Sequence, residues 1–237
     1  MSGPGARTPP LGRAQPGPAP EGAERDWRAS ATRAAIVCVL LSLLLWAWSR
    51  LGGAGPQLHG QALSPRAAPV FTGLTDTQGH PFSWRAQRGD AVLVFFGYTH
   101  CPDVCPLTLA RLSRVIDGLG PQARRVRVVF VTLDPQRDTP TVLRAYLDAL
   151  LPGAVGLRGD AADTARAAAQ WGVHWRRVSA PGAAPADYWI DHTAALTLVG
   201  PRGHLRARYG YAQLESRGLL QADLRSLLER RAAAPGA

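Results

Sequence analysis

The chain has 237 residues and 46% hydrophobic content, enough for one substantial core beside segments that stay outside it. Its formal net charge is +10, but the 27 basic residues are all arginine and lie scattered, with no run that interleaves them with aromatics; this excludes the footprint of a single-strand nucleic-acid binder. Three cysteines are too few for a disulfide framework.

The arginine-only bias, with abundant Ala, Gly and Pro, has the stamp of a GC-rich bacterial coding sequence. Residues 1–26 hold Pro, Gly, Ala and Arg with almost no large apolar side chains, and a disordered tail is expected through residue 33. The uncharged run Ala34–Ser49 follows, between Arg33 and Arg50. As a helix it spans about 24 Å, and snorkelling arginines, interfacial Trp46 and Trp48 and the following Leu51 extend it toward the roughly 30 Å of a bilayer core. A signal-cleavage site wants small residues after the apolar stretch; Trp46, Trp48 and Arg50 stand there instead, so residues 34–51 read as a permanent transmembrane helix. Arg7, Arg13, Arg25, Arg28 and Arg33 precede it, which puts the N-terminus in the cytoplasm and the rest of the chain in the periplasm of a bacterial inner membrane. Residues 52–62 are a Gly-rich linker, and 63–231 form one domain of ordinary size.

Within that domain, Val70–Leu74 and Pro81–Trp84 flank the turn signal Asp76-Thr77-Gln78-Gly79 and predict an N-terminal hairpin. Ala91–Gly97 is a continuous apolar strand, and Pro106–Leu119 a helix with one apolar face. Arg127–Leu133 is a second buried strand. Thr139–Leu150 is a helix whose Thr-Pro start suits capping, so Asp138 is read as part of that start. Ala161–Trp171 is a helix closed by Gly172. Ala194–Val199 and His204–Tyr209 form a hairpin around Gly200-Pro201-Arg202-Gly203, and Leu214–Arg230 is a last amphipathic helix. The order predicts an α/β fold around a mixed sheet.

Cys101 and Cys105 lie between the first long strand and its helix, the thioredoxin-like placement of a reactive pair. Their spacing is one residue wider than C-x-x-C, which lets two sulfurs on one helical face share a soft metal ion or close a disulfide. A helix N-terminus favours the thiolate. Two buried inert cysteines, or a structural disulfide, are the plain alternative; flanking Pro102, Asp103 and Pro106 point instead to an exposed turn. Cys38 sits in the apolar segment. Of six histidines, His59 and His80 fall in linker and turn sequence and read as solvated, His100 points away from the pair if its segment is extended, and His174 and His204 have no special context. His192 immediately precedes a strand whose entering loop faces the cysteine-bearing helix in a thioredoxin-like sheet.

Three segments in order, FGYTHCPDVCP at 96–106, VVFVTLDPQRDTP at 128–140 and DYWIDHTA at 187–194, closely resemble the Sco/SenC family of copper-binding proteins. The resemblance covers about residues 60–230, with an N-terminal anchor, and implies a thioredoxin-like fold. It also implies a role in assembling the binuclear copper centre of cytochrome c oxidase subunit II. The copper ligands it implies are Cys101, Cys105 and His192, with Asp134 close behind them; Tyr98, Asp103 and Asp191 occupy flanking motif positions. That donor set suits copper: soft sulfurs favour Cu(I), and imidazole nitrogen also accepts Cu(II). Three ligands leave the ion open to a receiving partner, an oxidase subunit, after loading from a copper donor protein. A thiol–disulfide oxidoreductase acting on oxidase cysteines through a Cys101–Cys105 disulfide is the competing reading. Against it stand the wider spacing and the absence of a proline at Asp191-His192-Thr193, where thioredoxins carry one. A peroxiredoxin-type site is disfavoured because the expected loop proline is missing, and a copper- or redox-sensing role is a further alternative.

Overall fold

The computed structural model describes residues 21–51, 58–184, 186–216 and 218–232. The chain divides into two compact units, Met1–Gly55 and Pro56–Ala237. Among the described residues the first contains one helix, α1 (Glu21–Leu51). Residues 21–33, expected to be disordered, are therefore helical: beyond Pro16, Pro18 and Pro20 the segment is rich in Ala, Glu and Arg, which propagate a helix well. The remainder of the expected tail, 1–20, and most of the expected linker, 52–57, lie outside the described residues. Ile36, Leu40, Leu44 and Trp46 on α1 are exposed. Among the described residues no helix is long and apolar enough to cross a membrane; the expected span at 34–51 runs into residues 47–51, whose side chains lie outside that set.

The second unit begins with β1 (Gln61–Ala62), β2 (Thr75–Asp76), β3 (Ala91–Gly97) and α2 (Val104–Asp117), followed by β4 (Val126–Thr132), α3 (Pro140–Leu150), β5 (Val155–Arg158) and α4 (Ala161–Gln170). It is completed by β6 (Trp175–Val178), β7 (Trp189–His192), β8 (Ala195–Val199), β9 (Leu205–Gly210), α5 (Tyr211–Glu215) and α6 (Leu219–Ala232). Seven strands make one sheet in the order β1-β9-β8-β3-β4-β5-β2, while β6 and β7 form a separate two-stranded ribbon. β3, β4 and β5 are parallel; the other pairings in the sheet are antiparallel. Every residue of β3 is buried, which is why its sequence shows no polar alternation: both faces of a central strand are covered.

Side-chain alternation then decides which face belongs to the site. Phe95 and Phe130 are paired in register and project to one face, with ring centroids 5.9 Å apart. α2 packs there through Cys105, Thr108, Leu109 and Leu112, an i, i+3, i+4, i+7 stripe. Phe96 projects to the other face and meets Trp171 at 6.2 Å. Trp171 stacks on Phe71 (5.1 Å) and Trp84 (6.0 Å), and Phe82 stands edge-on to Trp84 at 5.0 Å.

This aromatic cluster explains why the expected N-terminal hairpin does not form. Pro81 makes only an isolated bridge to Thr75 across a turn in which Asp76 Oδ1 accepts from the Gln78 (2.8 Å) and His80 (2.9 Å) amides. Phe82 and Trp84 are drawn into the core, and Thr75–Asp76 instead joins the sheet edge opposite Arg158 and Leu157. The C-terminal helix, expected in one piece, is broken between α5 and α6, where Gly218 has φ +85°, a left-handed value open to glycine. The domain also starts earlier than expected, because Gln61–Ala62, assigned to the linker, pairs with β9.

Candidate metal centre

β3 ends at Gly97, and the chain turns sharply before α2: the Cys101 amide donates to the Tyr98 carbonyl at 3.3 Å, and the Leu107 amide to that of Asp103 at 3.2 Å. Asp103, although placed to cap α2, makes no side-chain cap. The sulfur of Cys101 takes that place, accepting the backbone N–H of Cys105 at 3.4 Å. Cys105 itself is the second residue of α2 and wholly buried, whereas Cys101 is half-buried. Both thiols are free.

The two sulfurs are electrostatically unequal. The hydrogen bond from the Cys105 thiol holds Cys101 low, at about 4, against the opposing effect of burial; His192 and the amides of Asp103 and Cys105 assist. Cys105, which donates that hydrogen bond and is buried next to the Cys101 charge, is driven strongly upward. The pair therefore presents one half-buried thiolate beside one retained thiol.

His192, the last residue of β7, reaches the same place. Its Nδ1 lies 3.2 Å from the Thr193 carbonyl and its Nε2 3.7 Å from Cys105 Sγ. Nδ1 is thus turned to a backbone acceptor, and Nε2 is the ring nitrogen that faces the Cys105 sulfur. The edges of Phe95 (6.4 Å) and Tyr98 (6.1 Å) flank the ring. The 3.7 Å S···N separation is short enough for one metal ion to bond to both atoms, since metal–thiolate and metal–imidazole bonds are about 2.3 and 2.0 Å. The donors converge in pairs; among the described residues no group of three His, Cys, Asp or Glu side chains stands ready to hold a metal ion.

Asp134 is 1% exposed and makes no hydrogen bond to the cysteines or His192. It accepts instead from Arg137 Nε and from the Tyr188 hydroxyl (2.8 Å), on the segment leading into β7. Asp138 was not legible as part of this region. It is completely buried and accepts from the Thr99 amide (3.0 Å), the Thr99 hydroxyl (2.6 Å) and the Thr132 hydroxyl (2.5 Å). The available signal is that Thr139, whose hydroxyl accepts the Val142 amide, already caps α3 and leaves Asp138 without that task. His100 lies in a turn, not in the extended segment on which its expected direction rested, and its Nδ1 stands 3.0 Å from Thr99 Oγ1 and 3.7 Å from Asp138. His59, expected to be solvated, is exposed and also pairs through Nδ1 with buried Asp223 at 2.7 Å.

A cysteine pair at the start of the helix after a central parallel strand, within a mixed sheet, defines a thioredoxin-like dithiol protein. The SCO1/SenC family pattern matches residues 62–229, and the chain belongs to that family. It is 33% identical over 186 residues to the mitochondrial SCO2 homolog of Mus musculus, covering 76% of this chain and 72% of that protein. Among solved structures it resembles apo Sco1 from Thermus thermophilus, with TM-score 0.64 and 36% identity over 74% of this chain and 100% of that one. It also resembles ScoI of Bradyrhizobium japonicum, solved with copper bound, with TM-score 0.58 and 34% identity over 70% and 98% of the two chains.

Proposed function

We propose that this protein is a copper chaperone for cytochrome c oxidase assembly, binding one copper ion through Cys101, Cys105 and His192 and passing it to an oxidase subunit with a binuclear copper site. The observation that carries the reading is the approach of His192 Nε2 to Cys105 Sγ at 3.7 Å, above a Cys101 sulfur held low by its hydrogen bonds. The family relationship and the copper-bound ScoI relative support copper as the cargo. Two thiolates and one imidazole match the softness of Cu(I) and admit Cu(II), and a fourth position stays open for an acceptor's ligand. The low Cys101 value lets copper enter without first removing a proton there, while Cys105 gives up its proton on binding. The apolar run of α1 is read as an anchor that holds the domain at the periplasmic face of a bacterial inner membrane.

Purified full-length protein is expected to bind one equivalent of copper, and Cys101→Ala, Cys105→Ala and His192→Ala each to weaken it by at least tenfold. Undiminished affinity in His192→Ala refutes the three-ligand site. A second reading, reduction of an oxidase disulfide, is favoured by the unequal pair itself: a half-buried, low Cys101 suits attack on that disulfide, and the retained Cys105 thiol suits resolution of the mixed disulfide, which releases the oxidase dithiol and leaves a Cys101–Cys105 disulfide. The two separate in cells, because oxidase assembly fails in His192→Ala under the first and persists under the second.

A further inference from the structure

The thiol pair and His192 come from segments distant in the chain, and what sets their separation is the turn between β4 and α3. Thr132, at the end of β4, accepts the Asp134 amide on its hydroxyl at 2.9 Å and donates that hydroxyl to Asp138. The Asp138 amide donates back to the Asp134 carbonyl at 2.9 Å. From beneath, Arg158 of β5 donates to the carbonyls of Asp138 (3.2 Å) and Pro135 (3.0 Å). The turn is thus cross-braced to the sheet.

Each of its two buried carboxylates reaches a different part of the site. Asp138 takes both donors of Thr99, two residues before Cys101. Asp134 takes the Tyr188 hydroxyl, while its partner Arg137 donates to the Tyr188 carbonyl at 3.0 Å and stacks on the Tyr188 ring at 3.6 Å, four residues before His192. Arg177 covers the other side of that ring at 3.9 Å. Neither carboxylate touches a sulfur or the imidazole.

We propose that Asp134 and Asp138 are positioning residues forming one bracket with separable arms: Asp138 holds the thiol arm and Asp134 the imidazole arm. This deepens the copper reading and rests on it only for the metal-loaded measurements. With Asp138 in place, the turn before Cys101 is held in the dithiol arrangement, and the rearrangement needed to close a disulfide is resisted. With Asp134 in place, β7 presents Nε2 to Cys105.

The test uses full-length protein carrying Asp138→Asn or Asp134→Asn, which keep side-chain size and remove the carboxylate. Two readouts are metal-free: the dithiol–disulfide equilibrium against glutathione, and the ring-nitrogen resonances of His192. A third is Cu(II) affinity with its imidazole-nitrogen hyperfine signal. Asp138→Asn is expected to shift the glutathione equilibrium toward disulfide by about tenfold, the scale of one charge-assisted hydrogen bond, with the His192 resonances unmoved. Asp134→Asn is expected to move the His192 resonances and lower Cu(II) affinity by roughly 10–100-fold, with the glutathione equilibrium unmoved. Thr99→Val removes the hydroxyl donor to Asp138 and Tyr188→Phe the hydroxyl donor to Asp134, and each must reproduce its partner's selective effect in direction, which keeps the test decisive if an aspartate variant does not fold. Equal movement of both metal-free readouts in every variant, or of neither, overturns the bracket. If the wild-type protein takes up no copper, the copper reading falls, and the metal-free readouts still decide the bracket.

Discussion

Replacing Gly97 by alanine places a methyl group 2.9 Å from Cys105 Sγ and 3.0 Å from two ring carbons of Phe130. No carbon approaches sulfur that closely without something moving. The neighbours have little room: Cys105 and Phe130 are both 0% exposed, and Phe130 is backed by Tyr146 at 6.0 Å. Overpacking of a tight core costs about 1–3 kcal/mol, and for a domain of this size each kcal/mol lowers the melting temperature by roughly 2–4 °C. A drop of about 5 °C is expected by calorimetry. Displacing the sulfur also spoils the 3.7 Å approach to His192, so copper affinity should fall with it. Gly203→Ala is the control: its φ of +76° makes alanine strained, but nothing lies within 4 Å of the new methyl. It should lose stability and keep copper affinity. A Gly97→Ala protein with the wild-type melting temperature and copper affinity would refute the claim that Gly97 makes room for the thiol.

Cys101, lowered to about 4, remains thiolate well below neutrality, so its alkylation by iodoacetamide should hold its rate from pH 8 down to about pH 5. An ordinary thiol, with a value of about 8.5, slows tenfold per pH unit over that range. Cys105, shifted the other way, should stay unlabelled until the protein unfolds, and mass spectrometry of the peptides distinguishes the two. Asp223, 2% exposed, accepts from the His59 amide (2.8 Å), pairs with the His59 ring (2.7 Å) and accepts from Tyr209 Oη (2.6 Å). Asp223→Ala strands the buried Tyr209 hydroxyl and should cost about 2–4 kcal/mol in denaturant titration, with copper stoichiometry unchanged.

The long elements were legible because their signals are local. β3 needs only its unbroken apolar run, α3 its Thr139-Pro140 start, and the β8–β9 hairpin its Gly-Pro-Arg-Gly turn. β5 was not legible: four residues carry too little period, and Gly156 is there because a Cβ would sit 2.8 Å from Leu147 Cδ1, a contact made across the fold. The β6–β7 ribbon was hidden for a related reason, since Trp175 faces His192 only once the two strands have paired antiparallel. Phe82 and Trp84 misled as hairpin residues because their partners, Phe71 and Trp171, stand far from one another in the chain.

From the chain alone came the identities of the chemical groups: a cysteine pair at a strand–helix junction, a histidine leading into a later strand and, through the family resemblance, one aspartate, Asp134. Residue type and spacing suffice for that, since the donor atom a side chain offers is fixed by its type. Tertiary structure alone decided how those groups divide the work. The hydrogen bond from the Cys105 thiol makes Cys101 the charged sulfur, and the same bond together with burial makes Cys105 the retained thiol. Likewise the crossing of the β4–α3 turn beneath both arms, and no feature of the sequence near Asp138, directs its carboxylate to Thr99 rather than to the helix it precedes. Such roles depend on distances between segments far apart in the chain, which residue spacing does not encode.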